Sequence, residues 1–195
     1  MIIHIGTSNE GKFREMVRML KPLGHEVVKE DIPYPEIQAD TLWDVVQFGI
    51  QWLLDNDKRS WLDDPDHGFI IDDSGIFIKP LKDFPGVYSK FVFYSIGTNG
   101  ILHLLQNSEH RDAVFKTSLM FHTHGRNHYF EGTSNGTISV DERGTNGFGY
   151  DPIFIPNGSD KTFAEMDIDE KNAYSHRGKA MEQFIDFLVD KAPRS

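Results

Sequence analysis

The apolar positions at the start of the chain fall first into a run and then into a stripe. Residues 2–5, IIHI, are closed by Gly6, after which Phe13, Met16, Val17 and Leu20 recur at the i, i+3, i+4, i+7 spacing of one helix face. This predicts strand, tight turn and helix, ending near KPLGHE, where Pro22 and Gly24 punctuate the pattern and Val27–Val28 open a second strand. IPYPEIQAD is extended by its prolines. Thr41 can then cap a helix running to about Asp55, with Leu42, Val45, Val46, Gly49, Trp52 and Leu53 as its buried stripe. FIIDDSGIFI reads as two β-rich runs, 69–71 and 76–78, interrupted by Asp72, Asp73, Ser74 and Gly75. FPGVYSKF is turn-like, IGTNGILHLLQN suggests a short helix, and residues 113–140 read as a β-meander turning at Gly125–Arg126. From about Ser175 to Lys191, Ala180, Phe184, Phe187 and Leu188 share one face of an amphipathic helix. No repeat, low-complexity tract or linker divides the chain, so the pattern predicts one domain, 1–195, of α/β class with mixed sheets.

Composition narrows the partners. The 195 residues carry a formal net charge of −10, which disfavours DNA or an acidic membrane surface, so any phosphate ligand must meet a local cluster of cations. The absence of cysteine removes disulfides, thiolate zinc sites and cysteine nucleophiles, and makes a cytoplasmic location the default expectation. No apolar run approaches the roughly 20 residues of a spanning helix, and MIIHIGTSN turns polar too soon for a signal peptide.

GTSNEGKF satisfies most of a phosphate-binding P-loop: Gly6, four residues, then Gly11 and Lys12. Backbone N–H groups, a helix N-terminus and Lys12 could together receive an anion, although a capped turn with a solvated lysine fits the same segment. Phe13 stands where a P-loop has the hydroxyl that holds Mg²⁺, so a metal would have to rest on acids elsewhere. Glu36 and the Asp72–Asp73 pair qualify. Adjacent side chains on an extended segment point to opposite sides, so one aspartate faces a site while the other is buried or solvated, and Asp73, beside Ser74, is preferred. Glu36 taken alone reads as a loop carboxylate. In GFGYDPIF, Phe148 and Tyr150 alternate with glycines, Gly149 among them, that would let backbone approach a flat ligand; an aromatic core beside a turn is the plainer reading. DEKNAYSHRGKA gathers Lys171, His176, Arg177 and Lys179 near a helix start, fit for phosphates or a carbonyl, or else for a solvated surface. His122 and His124, two apart on an expected strand, have a spacing that can chelate zinc but imply no third ligand.

In this order, TSNEGKFRE, PEIQAD, DDSG, FPGVYS, GFGYDPIF and EKNAYSHRGKA resemble the inosine triphosphate pyrophosphatase family along nearly the whole chain. The resemblance implies a long mixed sheet flanked by helices, in two lobes with the active cleft between them, and usually a homodimer. It implies Mg²⁺-dependent hydrolysis of non-standard purine nucleoside triphosphates to monophosphate and pyrophosphate. Carried onto matching positions, Thr7, Ser8, Asn9, Glu10, Gly11 and Lys12 would cradle the triphosphate. Glu36 and Asp73 would serve the metal, and Asp73 would also activate the attacking water. Ser74 would touch substrate near that metal and Phe148 would stack on the base, flanked by Gly149 and Tyr150. Asp151, Lys171, His176 and Arg177 would complete the base and sugar contacts. Lys90 falls where some members have a further phosphate-binding lysine. Some members also carry a lysine in the helix after PEIQ, and VVQFGIQW here has none.

Three other activities use parts of the same pattern. A related pyrophosphatase for pyrimidine or modified nucleotides would keep the loop and carboxylates with another base pocket. A nucleotide sensor would bind without turnover, and a zinc hydrolase would depend on His122 and His124.

Overall fold

The first apolar run forms strand β1 (Ile2–Gly6), parallel to β2 (Glu26–Glu30) on one side and to β3 (His67–Ile78) on the other. The computed structural model describes residues 1–32, 34–35, 37–56 and 60–191. Four further strands are β4 (Phe84–Gly86), β5 (Asp112–Thr123), β6 (Arg126–Ile138) and β7 (Phe154–Pro156). Together they make a seven-stranded sheet in the order β2-β1-β3-β5-β6-β7, with β4 against β3. The β3–β4 and β6–β7 pairs are antiparallel, so the sheet is mixed and the α/β class holds. The helices are α1 (Glu10–Leu20), α2 (Leu42–Asn56), α3 (Ser89–Leu104), α4 (Ile168–Tyr174) and α5 (His176–Lys191).

The chain divides into two compact units, the counterparts of the two expected lobes. One is Met1–Asp73, Ser118–Glu131 and Ala180–Ser195; the other is Ser74–Thr117 and Gly132–Lys179. In the first, Met16 and Leu20 of α1 pack with Ile3, Ile5, Phe121 and Phe184, and Phe13 leans against the same cluster. That contact explains an apolar residue at position 13, since the ring is partly buried and apolar area removed from water is stabilising. The stripe of α2 closes a second cluster, with Val46, Ile50 and Leu53 against Phe69 and Ile71. Thr41 caps α2 as expected, accepting from the Asp44 amide at 3.2 Å while its hydroxyl donates to the Asp44 carboxylate at 2.6 Å. In the second unit Ile76, Ile78, Phe115, Tyr150, Phe154 and Phe163 form the core.

Several local expectations are corrected. Residues 72–75 do not interrupt a strand: β3 runs unbroken from His67 to Ile78. Gly75 makes this continuity compatible with a close neighbour, because a Cβ there would lie 2.3 Å from the Gly86 carbonyl oxygen. Ser89 secures the crossing, its hydroxyl donating to the Gly86 carbonyl at 2.6 Å and accepting from the Ile76 amide at 2.8 Å. The segment read as turn-like is β4 followed by the first half of α3, which breaks at Gly97 (φ 65, ψ −170) before continuing. Its apolar residues surround the helix instead of lining one face, so no 3.6-residue stripe announces it. The β5–β6 turn sits at His124–Gly125, one residue earlier than expected. This separates the proposed zinc pair: His122 is buried on β5 with its Nδ1 2.6 Å from Asn127 Oδ1, whereas His124 is an exposed turn residue at φ 50. Among the described residues no group of three or more metal-ligating side chains assembles. None of the described helices is long and apolar enough to cross a membrane.

Candidate active site

The loop after β1 is held mostly by its own polar groups. Asn9 caps α1 by accepting from the Lys12 amide at 3.0 Å, and its own amide donates to Thr7 Oγ1 at 3.1 Å. The Thr7 amide reaches the Ile5 and Glu30 carbonyls, each at 3.1 Å. Three of the amides that the sequence offers to an anion are therefore engaged internally, and Asn9 acts first as a helix cap. Ser8 is exposed and Gly11 half-buried at the helix start. The Glu10 carboxylate turns to Lys29 of β2 at 2.6 Å, which holds its pKa below the usual carboxylate value. Gly6 is needed because a Cβ would sit 2.6 Å from the Phe69 ring.

Lys12 points from α1 to β3. Its ammonium donates to the Asp72 carbonyl at 3.1 Å and lies 3.3 Å from Asp72 Oδ2. The Asp72 side chain is fully buried, and its neighbour Asp73 is half-buried. The alternation expected of an extended segment is thus realised, with Asp73 the more accessible of the pair. Glu36, the other expected metal ligand, lies outside the described residues.

In the second unit Ser74 begins a hydrogen-bonded chain. Arg177 Nη2 donates to Ser74 Oγ at 2.8 Å, and Ser74 Oγ lies 2.6 Å from Thr117 Oγ1. Ser74 accepts from the guanidinium, and either hydroxyl can be the donor across the Ser74–Thr117 contact. Arg177 is 1% exposed, one of the largest fully buried side chains. Sequence reading placed it in a solvated patch or a phosphate grip; its burial makes it part of a fixed network. Thr117 was missed altogether, and its only signal is a hydroxyl within the apolar run AVFKTSLMF.

Phe148 is framed by cations. Lys171 Nζ stands 4.6 Å from its ring centroid and Arg177 Cζ 5.8 Å. Lys171 is also ion-paired with Asp151 at 2.5 Å, both residues buried, and Asp151 Oδ2 accepts from the Phe148 amide at 2.7 Å. One carboxylate therefore orients both the ring's backbone and the cation over it. Gly147 makes room for that carboxylate, since at φ 74 a Cβ there would lie 2.0 Å from Asp151 Oδ2. His176 is buried and stacked on Phe115 with centroids 4.5 Å apart. Tyr150 belongs to the core, where its hydroxyl donates to the Ser89 carbonyl at 2.9 Å and burial pushes its pKa up. Only backbone remains at Tyr150 to meet a ligand, as at Gly149 (φ 61). Lys90 is exposed on α3.

The first unit thus carries a cation at a capped helix start beside two adjacent aspartates on β3, and the second carries an aromatic ring framed by cations. The chain belongs to the Ham1 family, whose sequence model matches residues 3–187. A Pyrococcus horikoshii protein named dITP/XTP pyrophosphatase is 52% identical over 188 residues, 96% of this chain and 97% of its own length. A Thermococcus kodakarensis protein of the same name is 48% identical, covering 94% and 95%. Among solved structures, the Staphylococcus aureus Ham1 protein superposes with a TM-score of 0.78 at 26% identity, covering 98% of this chain and all of that one. A HAM1 protein from Coxiella burnetii gives 0.76 at 29%, covering 97% and 99%. These matches bear out the family resemblance drawn from the six motifs.

Proposed function

We propose that this chain hydrolyses non-standard purine nucleoside triphosphates, ITP, dITP and XTP, to the nucleoside monophosphate and pyrophosphate, with Mg²⁺ as its metal. The observation that carries the reading is the run Asp72–Asp73–Ser74 on β3. Three consecutive residues there hold Lys12, present an accessible carboxylate and receive the Arg177 guanidinium. The names of the archaeal relatives support the substrate class.

In this reading Lys12, with the amides of Ser8, Glu10 and Gly11 at the helix start, grips the triphosphate. Asp73 accepts a proton from a water whose oxygen bonds to the α-phosphorus as the bond to the bridging oxygen breaks and pyrophosphate leaves. The donor set fits Mg²⁺, which is commonly held by one or two carboxylates together with phosphate oxygens and waters. Asp73 would hold it together with Glu36, and the bound ion would supply charge neutralisation and acidify water.

Phe148 stacks on the base, and the neighbouring Lys171 and Arg177 provide donors for a 6-oxo group. Adenine would turn an amino donor toward donors, leaving buried polar groups unpaired, and such mismatches discriminate strongly. Mg²⁺-dependent appearance of IMP and pyrophosphate in equal amounts from ITP tests the reaction; release of free phosphate alone would refute it.

The whole chain acts as one functional domain in the cytoplasm, clearing deaminated purine nucleotides before they are incorporated. It works as a homodimer, for which α3 supplies a surface: Phe91 is 73% and Tyr94 78% exposed, next to half-exposed Tyr88. Light scattering should give twice the chain mass, reduced to the chain mass in Phe91→Glu/Tyr94→Glu; an unchanged dimer in that variant would exclude this face.

A further inference from the structure

In the reading above Asp72 contacts Lys12 but takes no part in the reaction, although its carboxylate is the more deeply buried of the adjacent pair. Its side chain has no exposed surface, and that of Lys12 is 16% exposed. A carboxylate so buried is tolerated only with a charge partner and hydrogen bonds. The partner is the lysine of the loop, which meets Asp72 twice, at the carbonyl oxygen (3.1 Å) and at Oδ2 (3.3 Å).

We infer that Asp72 is a positioning residue for Lys12: it fixes the rotamer of the lysine and aims its remaining N–H groups at the substrate's phosphates. The inference rests on the triphosphate reading of the loop. An ammonium has three donors on a flexible four-carbon stem. One of them is given to the Asp72 carbonyl and the ammonium is held 3.3 Å from Oδ2, which limits the directions left to the remaining donors. Because Asp72 balances the lysine's charge, the pair offers a phosphate direction more than net charge. The strand geometry excludes a shared role as base, since Asp72 and Asp73 point to opposite faces of β3. Asp72 therefore acts through Lys12, and Asp73 acts at the reacting centre.

The dependence on Lys12 is what the test reads. With Mg²⁺ and ITP, Asp72→Asn should lose about tenfold or more in kcat/KM. Lys12→Met should lose more, and Lys12→Met/Asp72→Asn should be no slower than Lys12→Met, the signature of two residues acting as one unit. Binding of inorganic tripolyphosphate with Mg²⁺, followed by calorimetry, should show the same pattern without reference to turnover. The double variant also removes the buried carboxylate whose ion pair is lost in Lys12→Met, so it should melt at a higher temperature than that single variant. The comparison of the double variant with Lys12→Met stands even where Asp72→Asn folds poorly. Multiplicative losses in the double variant would overturn the inference. So would a rise in the Mg²⁺ concentration for half-activity that Asp72→Asn produces equally in the Lys12→Met background, which would make Asp72 a metal ligand. Failure of the wild type to hydrolyse ITP at all would instead refute the substrate reading, a separate outcome.

Discussion

Asp73→Asn is expected to lower ITP turnover by about 10²–10⁴, the range set by removing a general base, with nucleotide binding changed far less. The substitution keeps the size and shape of the side chain and takes away its negative charge. Asp73 is half-buried on β3, so the strand and its neighbours should tolerate the amide. The amide cannot take the water's proton, and it is a poorer ligand for Mg²⁺ than a carboxylate. Single-turnover pyrophosphate release at saturating enzyme, set beside the affinity for ITP without turnover, separates the two effects. Turnover near the wild-type rate would remove Asp73 from the mechanism.

The second large effect concerns stability as well as substrate. Asp151→Ala should destabilise the protein by about 3–5 kcal/mol, because it strands the Lys171 ammonium in a site where both partners are buried. The same change removes the acceptor for the Phe148 amide, so the aromatic platform loses its anchor as well. Denaturant unfolding should show the loss, and Lys171→Met added to Asp151→Ala should recover part of it by removing the buried charge that has lost its ion pair. The double variant should regain stability without regaining ITP hydrolysis, since the nearer of the two cations framing Phe148 is then gone. Equal stability of Asp151→Ala and wild type would mean that the buried pair contributes nothing to the fold.

Much of the fold was legible because it rests on local rules. The strand, turn and α1 follow from an apolar run, a glycine and a 3.6-residue stripe, and α2 and α5 from their own stripes. What escaped depends on contacts between distant residues. The unbroken course of β3 through Asp72–Gly75 is favoured by a neighbouring carbonyl and by Ser89, and neither is visible in the residues' own propensities. The first half of α3 carries apolar side chains around its circumference, so periodicity had no stripe to report.

The candidate site divides along the same line. Residue types put forward Lys12, Asp73, Phe148 and the Lys171–Arg177 cluster as candidates, each beside a plainer structural reading, and it was their order along the chain that resembled a family. Their pairings could not be read from types alone. That Lys12 rests on Asp72, that Arg177 reaches Ser74 and through it Thr117, and that Tyr150 is committed to the Ser89 carbonyl are consequences of tertiary packing. The loop's amides show the limit from the other side. The sequence offered them all to an anion, and the structure uses those of Thr7, Asn9 and Lys12 to build the loop itself.

The measurement that bears most directly on this account is the ratio of kcat/KM for ITP to that for ATP and dTTP, with Mg²⁺ present and pyrophosphate as the detected product. A site whose donors face a 6-oxo group should favour ITP, dITP and XTP over ATP by about 10² or more. ATP or dTTP hydrolysed as well as ITP would contradict it.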